Sequence, residues 1–359
     1  MSAEHPTETR TLNCAEAIND ALATAMAADP AVICYGLGVT DPKGVFGTTS
    51  GLEARFGAAR VFDMPTSENA MTGVAIGAAM GGLKPVMTHQ RLDFFLLALD
   101  QLVNGAAKAR YMFNGRVGVP ITIRLILGRG WGQGPTHSQN LQAWFAHVPG
   151  LKVVTPATPE DARGLLLASI FDPDPVVFLE HRWLHATRGV VPHGVVATPI
   201  GQARHVREGA DVTIVAMSYL VAEAVHAADW LATRGVSVDI LDLRTLRPLD
   251  WPAVFASARR TGRLLALDCG FATGSVAGEI IARVAMECWD ALRAAPRRLA
   301  MPDVPEPTSP ALTRGFYVRA GDIAAAVLEM LGHDATPARA ALPEPQPHDV
   351  PGDWFKGPF

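Results

Sequence analysis

Leu151-Lys-Val-Val-Thr-Pro-Ala-Thr-Pro-Glu-Asp-Ala-Arg-Gly-Leu-Leu-Leu-Ala-Ser-Ile-Phe-Asp-Pro-Asp-Pro-Val-Val-Phe-Leu-Glu180 is the stretch that decides the fold. Leu151–Thr155 is short and apolar and reads as a strand. Pro159–Ile170 carries Ala, Leu and Ile at helical period. Asp172-Pro-Asp174-Pro175 has the composition of a turn, and Pro175–Glu180 is a second apolar strand. Strand, helix and strand in succession, with the strands apolar throughout, predict a parallel sheet covered on both faces.

The alternation extends both ways. Upstream, strands are expected at Ala31–Leu37, Arg60–Met64, Pro85–His89 and Pro120–Leu127, with helices over Leu12–Ala28, Ala70–Gly81, Phe94–Phe113 and Leu141–His147. A Gly/Pro/Val-rich connection runs from His185 to Gln202, and the pattern then restarts. Strands at Asp211–Met217, Ser237–Asp242, Arg263–Asp268 and near Leu299 alternate with helices at Val221–Arg234, Trp251–Arg260, Ser275–Leu292 and Ala320–Leu331. Two α/β domains joined near residue 195 account for this. Past Gly332, prolines at 337, 343, 345, 347, 351 and 358 argue against a regular helix or a central strand. An extended arm on a partner and a loose tail both suit such a segment.

A chain of 359 residues with 49% hydrophobic and 18% charged residues builds two ordinary cores. A net charge of -4 with mixed signs argues against nucleic acid or an anionic membrane as the main partner. Cys14, Cys34, Cys269 and Cys288 form no C-x-x-C pair, so reduced thiols in a cytoplasm are expected. The polar start predicts no signal peptide. The longest apolar stretch, Ala70–Leu83, is too short to span a bilayer, so a soluble protein is expected.

Single motifs are ambiguous. The loop from Leu127 to Pro135 alternates glycines and lacks both the Lys-Ser/Thr of a P-loop and the G-x-G-x-x-G spacing. It suggests a tight loop that brings the backbone near something, a ligand included. Thr66-Ser67-Glu68, after a strand and before an apolar helix, reads as a helix start with a hydroxyl cap and an acid in the first turn. His137-Ser-Gln139 reads as a surface loop, and no serine lies in a G-x-S-x-G elbow. Asp172 and Asp174 are two acids in a turn, solvated or cation-binding.

Together the segments resemble one family. Asp63-Met-Pro-Thr-Ser-Glu68, Gly73-Val-Ala-Ile-Gly-Ala-Ala-Met80 and Ala98-Leu-Asp-Gln-Leu-Val-Asn-Gly-Ala-Ala-Lys108 look like the beta subunits of pyruvate and branched-chain 2-oxoacid dehydrogenases. So do His137-Ser-Gln139, Trp144-Phe-Ala-His-Val-Pro-Gly-Leu-Lys-Val-Val154 and Leu241-Asp-Leu-Arg-Thr-Leu-Arg-Pro-Leu-Asp250. The resemblance runs from about Leu12 to Leu331. It implies two doubly wound α/β domains: a transketolase-like pyrimidine-binding domain over 1–190 and a transketolase C-terminal domain over 203–333, before a Pro-rich tail at 334–359. It also implies thiamine diphosphate at the interface with an alpha subunit in an α2β2 assembly. The alpha subunit would hold the diphosphate and Mg²⁺ through a Gly-Asp-Gly…Asn motif, and no Gly-Asp-Gly occurs here.

The resemblance assigns Glu68 to the cofactor's pyrimidine nitrogen, where a partly buried acid drives the tautomer that takes the thiazolium proton. It places Phe94 against the pyrimidine ring, with Phe95 the competing candidate, and Gln90 among the cofactor contacts. His137 would enter the active-site channel and stabilise charge or guide the acyl acceptor. Ile121, Ser169, Ile170, Asp172 and Asp174 match a structural K⁺ site built largely from carbonyls.

Some residues depart from the family. His89, Arg91 and Arg129, with Trp131 in the same loop as Arg129, are more polar than the pyruvate type. They suit a pocket for a polar or anionic substrate as well as contacts with the alpha subunit. Leu267-Asp-Cys-Gly-Phe271 replaces the usual acidic pair, which touches docking to an acyltransferase core. Three functions follow. The first is decarboxylation of a 2-oxoacid with transfer to a lipoyl acceptor. The second is a split transketolase-like carboligase acting on an aldehyde or sugar. The third is a scaffold for an alpha partner.

Overall fold

The computed structural model describes residues 9–129, 133–344 and 350. In chain order it begins with β1 (Thr9–Asn13), α1 (Cys14–Ala28), β2 (Val32–Gly36), α2 (Leu52–Phe56), β3 (Val61–Asp63) and α3 (Glu68–Met80). Then come β4 (Lys84–His89), α4 (Leu92–Phe95), α5 (Ala107–Met112), β5 (Thr122–Leu127), α6 (Gln142–His147), β6 (Lys152–Val154), α7 (Pro159–Ile170), β7 (Val176–His181) and β8 (Arg188–Pro192). The second series is β9 (Arg204–Arg207), β10 (Val212–Ala216), α8 (Leu220–Ala232), β11 (Val238–Asp242), β12 (Thr245–Arg247), α9 (Trp251–Thr261) and β13 (Leu264–Phe271). It closes with α10 (Val276–Glu287), β14 (Arg297–Met301), α11 (Ala320–Met330) and α12 (Thr336–Ala341).

These elements form two compact units. Unit 1 holds the described residues up to Ile126, with Val148–Glu180 and Leu184–Ile200. Unit 2 holds Leu127–His147, His181–Trp183 and the described residues from Gly201. The loop after β5 thus packs with unit 2 although the sequence pattern runs it on from unit 1.

Unit 1 is a sheet in the order β6-β7-β5-β4-β2-β3. β2 pairs in parallel with both β3 and β4, and β4 with β5. The central strands β2, β4 and β5 are buried along nearly all their length, as their apolar runs require. The helix starts are legible locally: Asn13 and Glu16 close a capping box on α1, and Thr158 caps α7 with Pro159 at its first position. β1 and β8 pair antiparallel as a separate two-stranded sheet in stretches read as helix start and loop.

Unit 2 runs β14-β13-β10-β11-β9. The three pairings among β14, β13, β10 and β11 are parallel, and the edge strand β9 is antiparallel to β11. Two expectations need correction. The single helix read over Phe94–Phe113 is broken into α4, a 3-10 turn, a π-helical stretch at Gln101–Ala106 and α5. The segment past Gly332 does contain a helix, α12, because Pro337 sits in its first turn, where a missing N–H costs nothing. The rest of the Pro-rich tail, apart from residues up to 344 and Val350, lies outside the described residues. Among the described residues no helix is long and apolar enough to cross a membrane.

Candidate active site

In unit 1 the strand order reverses between β2 and β4, and ligands of such sheets bind in the crevice at the carboxyl ends there. The backbone is built tightly at this point. A Cβ on Gly36, the last residue of β2, would meet the Thr88 carbonyl oxygen at 2.0 Å. Gly38 takes φ +72, and a Cβ there would lie 2.6 Å from the Gln90 amide nitrogen. Gln90 therefore rests across the turn that follows β2. Asp63, ending β3, holds the same turn by accepting the Val39 N–H at 2.7 Å and the Thr40 hydroxyl at 2.7 Å.

Glu68 is the first residue of α3 and is 6% exposed. The expected hydroxyl cap is not made, since the Ser67 side chain accepts no hydrogen bond from the helix. Thr72 fixes the first turn instead, donating to the Glu68 carbonyl at 2.8 Å and lying 3.4 Å from the Met87 sulfur on β4. The Glu68 carboxyl receives no hydrogen bond or ion pair from any described residue. A buried carboxyl without an internal donor is costly unless something else supplies one.

Phe94 and Phe95 are sorted by burial. Phe95 is fully buried and meets the His89 ring edge-on at 4.9 Å, whereas Phe94 is half-buried. His89, ending β4, is 1% exposed, its Nε2 has no hydrogen-bond partner among the described residues, and burial pushes its pKa down to about 3. It is a neutral ring in the core beneath the crevice, so it brings no positive charge to an anionic substrate. Arg91 is buried with its guanidinium 5.7 Å from the Phe46 ring, which in turn lies 6.0 Å from His185. Behind these, Arg124 donates to Thr88 at 3.2 Å and to Glu180 at 2.7 Å. Burial alone would raise the Glu180 pKa, but Arg124 and His185 beside it bring it below the ordinary carboxylate value. Sequence reading missed this buried network, because charged residues inside apolar strands carry no pattern of their own.

The proposed cation segment is already charge-balanced. Lys152 meets both oxygens of Asp172 at 2.6 Å, and Arg110 pairs with Asp174. The Ile121 carbonyl accepts the Val176 N–H at 3.0 Å, Ser169 donates to Leu165, and Ile170 is core. A K⁺ here would rest on backbone carbonyls. Among the described residues no three His, Cys, Asp or Glu side chains are grouped to hold a metal.

Two further predicted residues belong to unit 2. His137 is exposed, in a turn closed by its N–H to the Gly134 carbonyl at 3.0 Å, with the Thr136 hydroxyl 3.0 Å from Nδ1. Arg129 is fully buried. It donates to the Gln133 carbonyl at 2.7 Å, to Thr308 at 2.8 Å and to Pro307, and its own carbonyl accepts the Trp183 indole N–H at 2.7 Å. This guanidinium clamps backbone carbonyls of the loop and of residues 307 and 308. Trp131 lies outside the described residues.

A parallel sheet with its reversal-point crevice, followed by a second such sheet, matches two family models. Residues 10–186 match the transketolase pyrimidine binding domain and residues 201–323 the transketolase C-terminal domain. The beta subunit of the acetoin:2,6-dichlorophenolindophenol oxidoreductase of Cupriavidus necator is 42% identical over 327 residues, covering 88% of this chain and 96% of that one. The mitochondrial pyruvate dehydrogenase E1 component subunit beta-2 of Oryza sativa is 43% identical over 312 residues, covering 86% and 83%. Among solved structures, a split-gene transketolase described as an inactive beta4 tetramer is similar in fold at a TM-score of 0.71 and 21% identity, covering 89% and 98%. The chain belongs to the family of transketolase-type beta subunits that includes those of the pyruvate dehydrogenase E1 component and the acetoin oxidoreductases.

Proposed function

We propose that this chain is the beta half of a heteromeric thiamine diphosphate-dependent 2-oxoacid dehydrogenase, completed by an alpha subunit in an α2β2 assembly. Glu68 carries this reading. Its carboxyl is buried at the start of α3, has no donor among the described residues, and stands beside the crevice where such sheets bind ligands. An aminopyrimidine ring supplies the missing partner, and the half-buried Phe94 offers a flat apolar contact for it. When bound, thiamine diphosphate supplies a nucleophilic carbon that adds to an oxo carbon. Glu68 would hold and exchange a proton at the pyrimidine nitrogen, and Gln90 would pack at the rim. His137 would stabilise charge on the reacting group. The diphosphate and Mg²⁺ fall to the alpha subunit, since this chain has no Gly-Asp-Gly.

Thiamine diphosphate binding measured by calorimetry with Mg²⁺, on this chain alone and with its alpha partner, tests the half-site. Binding in the mixture only is expected, and tight binding by this chain alone would refute it. Lipoamide-dependent oxidation of 2-oxoacids by the assembled enzyme is the expected activity. Transfer to aldehydes or sugars without lipoamide turnover would instead establish the carboligase.

A further inference from the structure

We propose that Glu306, acting through Asn140, is a positioning residue for the His137 loop, and that Arg129 anchors the loop's other flank to the same short segment. The inference deepens the role given to His137 above and rests on that reading for its catalytic consequence. His137 is exposed, at the crest of a turn, and an imidazole that must meet a reacting group has to be held to a fraction of an ångström.

The footing comes from residues 306–308. On the downstream flank the Asn140 amide donates to the Ser138 carbonyl at 3.1 Å and to Glu306 Oε1 at 3.1 Å. Glu306 is 1% exposed, and its other oxygen accepts the Tyr317 hydroxyl at 3.4 Å. On the upstream flank Arg129 joins the Gln133 carbonyl to those of Pro307 and Thr308. Between the flanks, a Cβ on Gly134 would lie 2.0 Å from the Thr308 hydroxyl, so only glycine allows this approach. Both sides of His137 are thus tied to three consecutive residues that lie about 170 positions later in the chain. A buried acid whose two oxygens each take a side-chain donor is costly to strip of either, so it makes a fixed post.

The test uses the assembled enzyme with Glu306→Ala, Asn140→Ala and the near-isosteric Glu306→Gln, which still accepts from Asn140. Glu306→Ala and Asn140→Ala are expected to lower kcat about tenfold, with KM and thiamine diphosphate affinity within about twofold, and Glu306→Gln to restore kcat to within about threefold. In a His137→Ala background, Glu306→Ala is expected to add nothing further, since the two act as one unit. Hydrogen exchange of the amides at 133–140 reads the anchoring apart from turnover, and faster exchange is expected in both alanine variants. Unchanged exchange there would overturn the proposal, as would a full additional loss from Glu306→Ala in the absence of the imidazole. Faster exchange with unchanged kcat would uphold the anchoring and strike out the catalytic reading of His137 instead.

Discussion

The two units solve the same geometry differently. Each has a parallel sheet whose order reverses once, between β2 and β4 in unit 1 and between β10 and β13 in unit 2. In unit 1 the carboxyl-end crevice keeps a buried carboxyl without an internal donor and a half-buried phenylalanine. In unit 2 aromatic rings pack the end of β10, while a cavity of about 430 Å³ lined by Gln142, Asp268 and Gly270 stays open beside β13. Tyr219, just past β10, meets the rings of Trp183 at 4.9 Å and His181 at 4.8 Å, and Trp183 meets Tyr317 at 5.0 Å. Gln142 hydrogen-bonds Asp268, and the Asn140 carbonyl oxygen would lie 2.8 Å from any Cβ on Gly270. Burial raises the Asp268 pKa, yet four donors are aimed at its oxygens. The architecture makes a crevice in both units, but what occupies it decides whether it can serve chemistry or only packing.

That contrast can be broken by experiment. The largest effect is expected from Glu68→Gln, which should lower turnover of the assembled enzyme by about 10²–10⁴ while leaving the unfolding midpoint nearly unchanged. A large stability loss with intact turnover would erase the distinction between the crevices. Trp183→Ala should do the reverse, costing about 3–5 kcal/mol in urea unfolding, with cofactor affinity of the surviving folded enzyme preserved. An intermediate effect attends His89. The unfolded histidine takes up a proton below its ordinary 6.5 and the folded one only near 3, so the unfolded state binds more protons in that window. Its contribution is therefore fully present above 6.5 and lost as pH falls, by at most about 1.4 kcal/mol per pH unit. His89→Phe, which keeps an aromatic edge toward Phe95, should flatten the decline measured between pH 6.5 and 5; an unaltered slope would place its origin elsewhere. The smallest change is expected from Phe94→Leu, about 0.5–1.5 kcal/mol in thiamine diphosphate affinity, whereas Phe95→Leu should register in stability.

Much of this was legible in the chain, and what was not has physical causes. β-branched runs and helical period located the inner parallel strands of both units, because a parallel sheet buried on both faces leaves a continuous apolar signal. The residues between Phe94 and Phe113 share one helical period, yet their hydrogen bonding shifts to the π pattern where Gly105 lies against Ile76, a Cβ at 105 being only 3.2 Å from its side chain. No local pattern announces such a packing constraint. Edge strands β1, β8 and β9 are half-exposed and short, so their composition does not stand apart from loops. Glu68 and Phe94 came from the resemblance and not from periodicity. The clamp made by Arg129 was not legible either, because its partners are carbonyls that sit far along the chain.

The footing of the His137 loop has a consequence for how this chain can be recombined. A chimera that takes residues up to about 200 from one relative and the remainder from another would keep His137 and Asn140 but import a foreign segment in place of Glu306-Pro307-Thr308. The natural seam by sequence would therefore cut through a structural dependency. Exchanges that carry residues 127–147 together with the C-terminal half would keep the dependency whole.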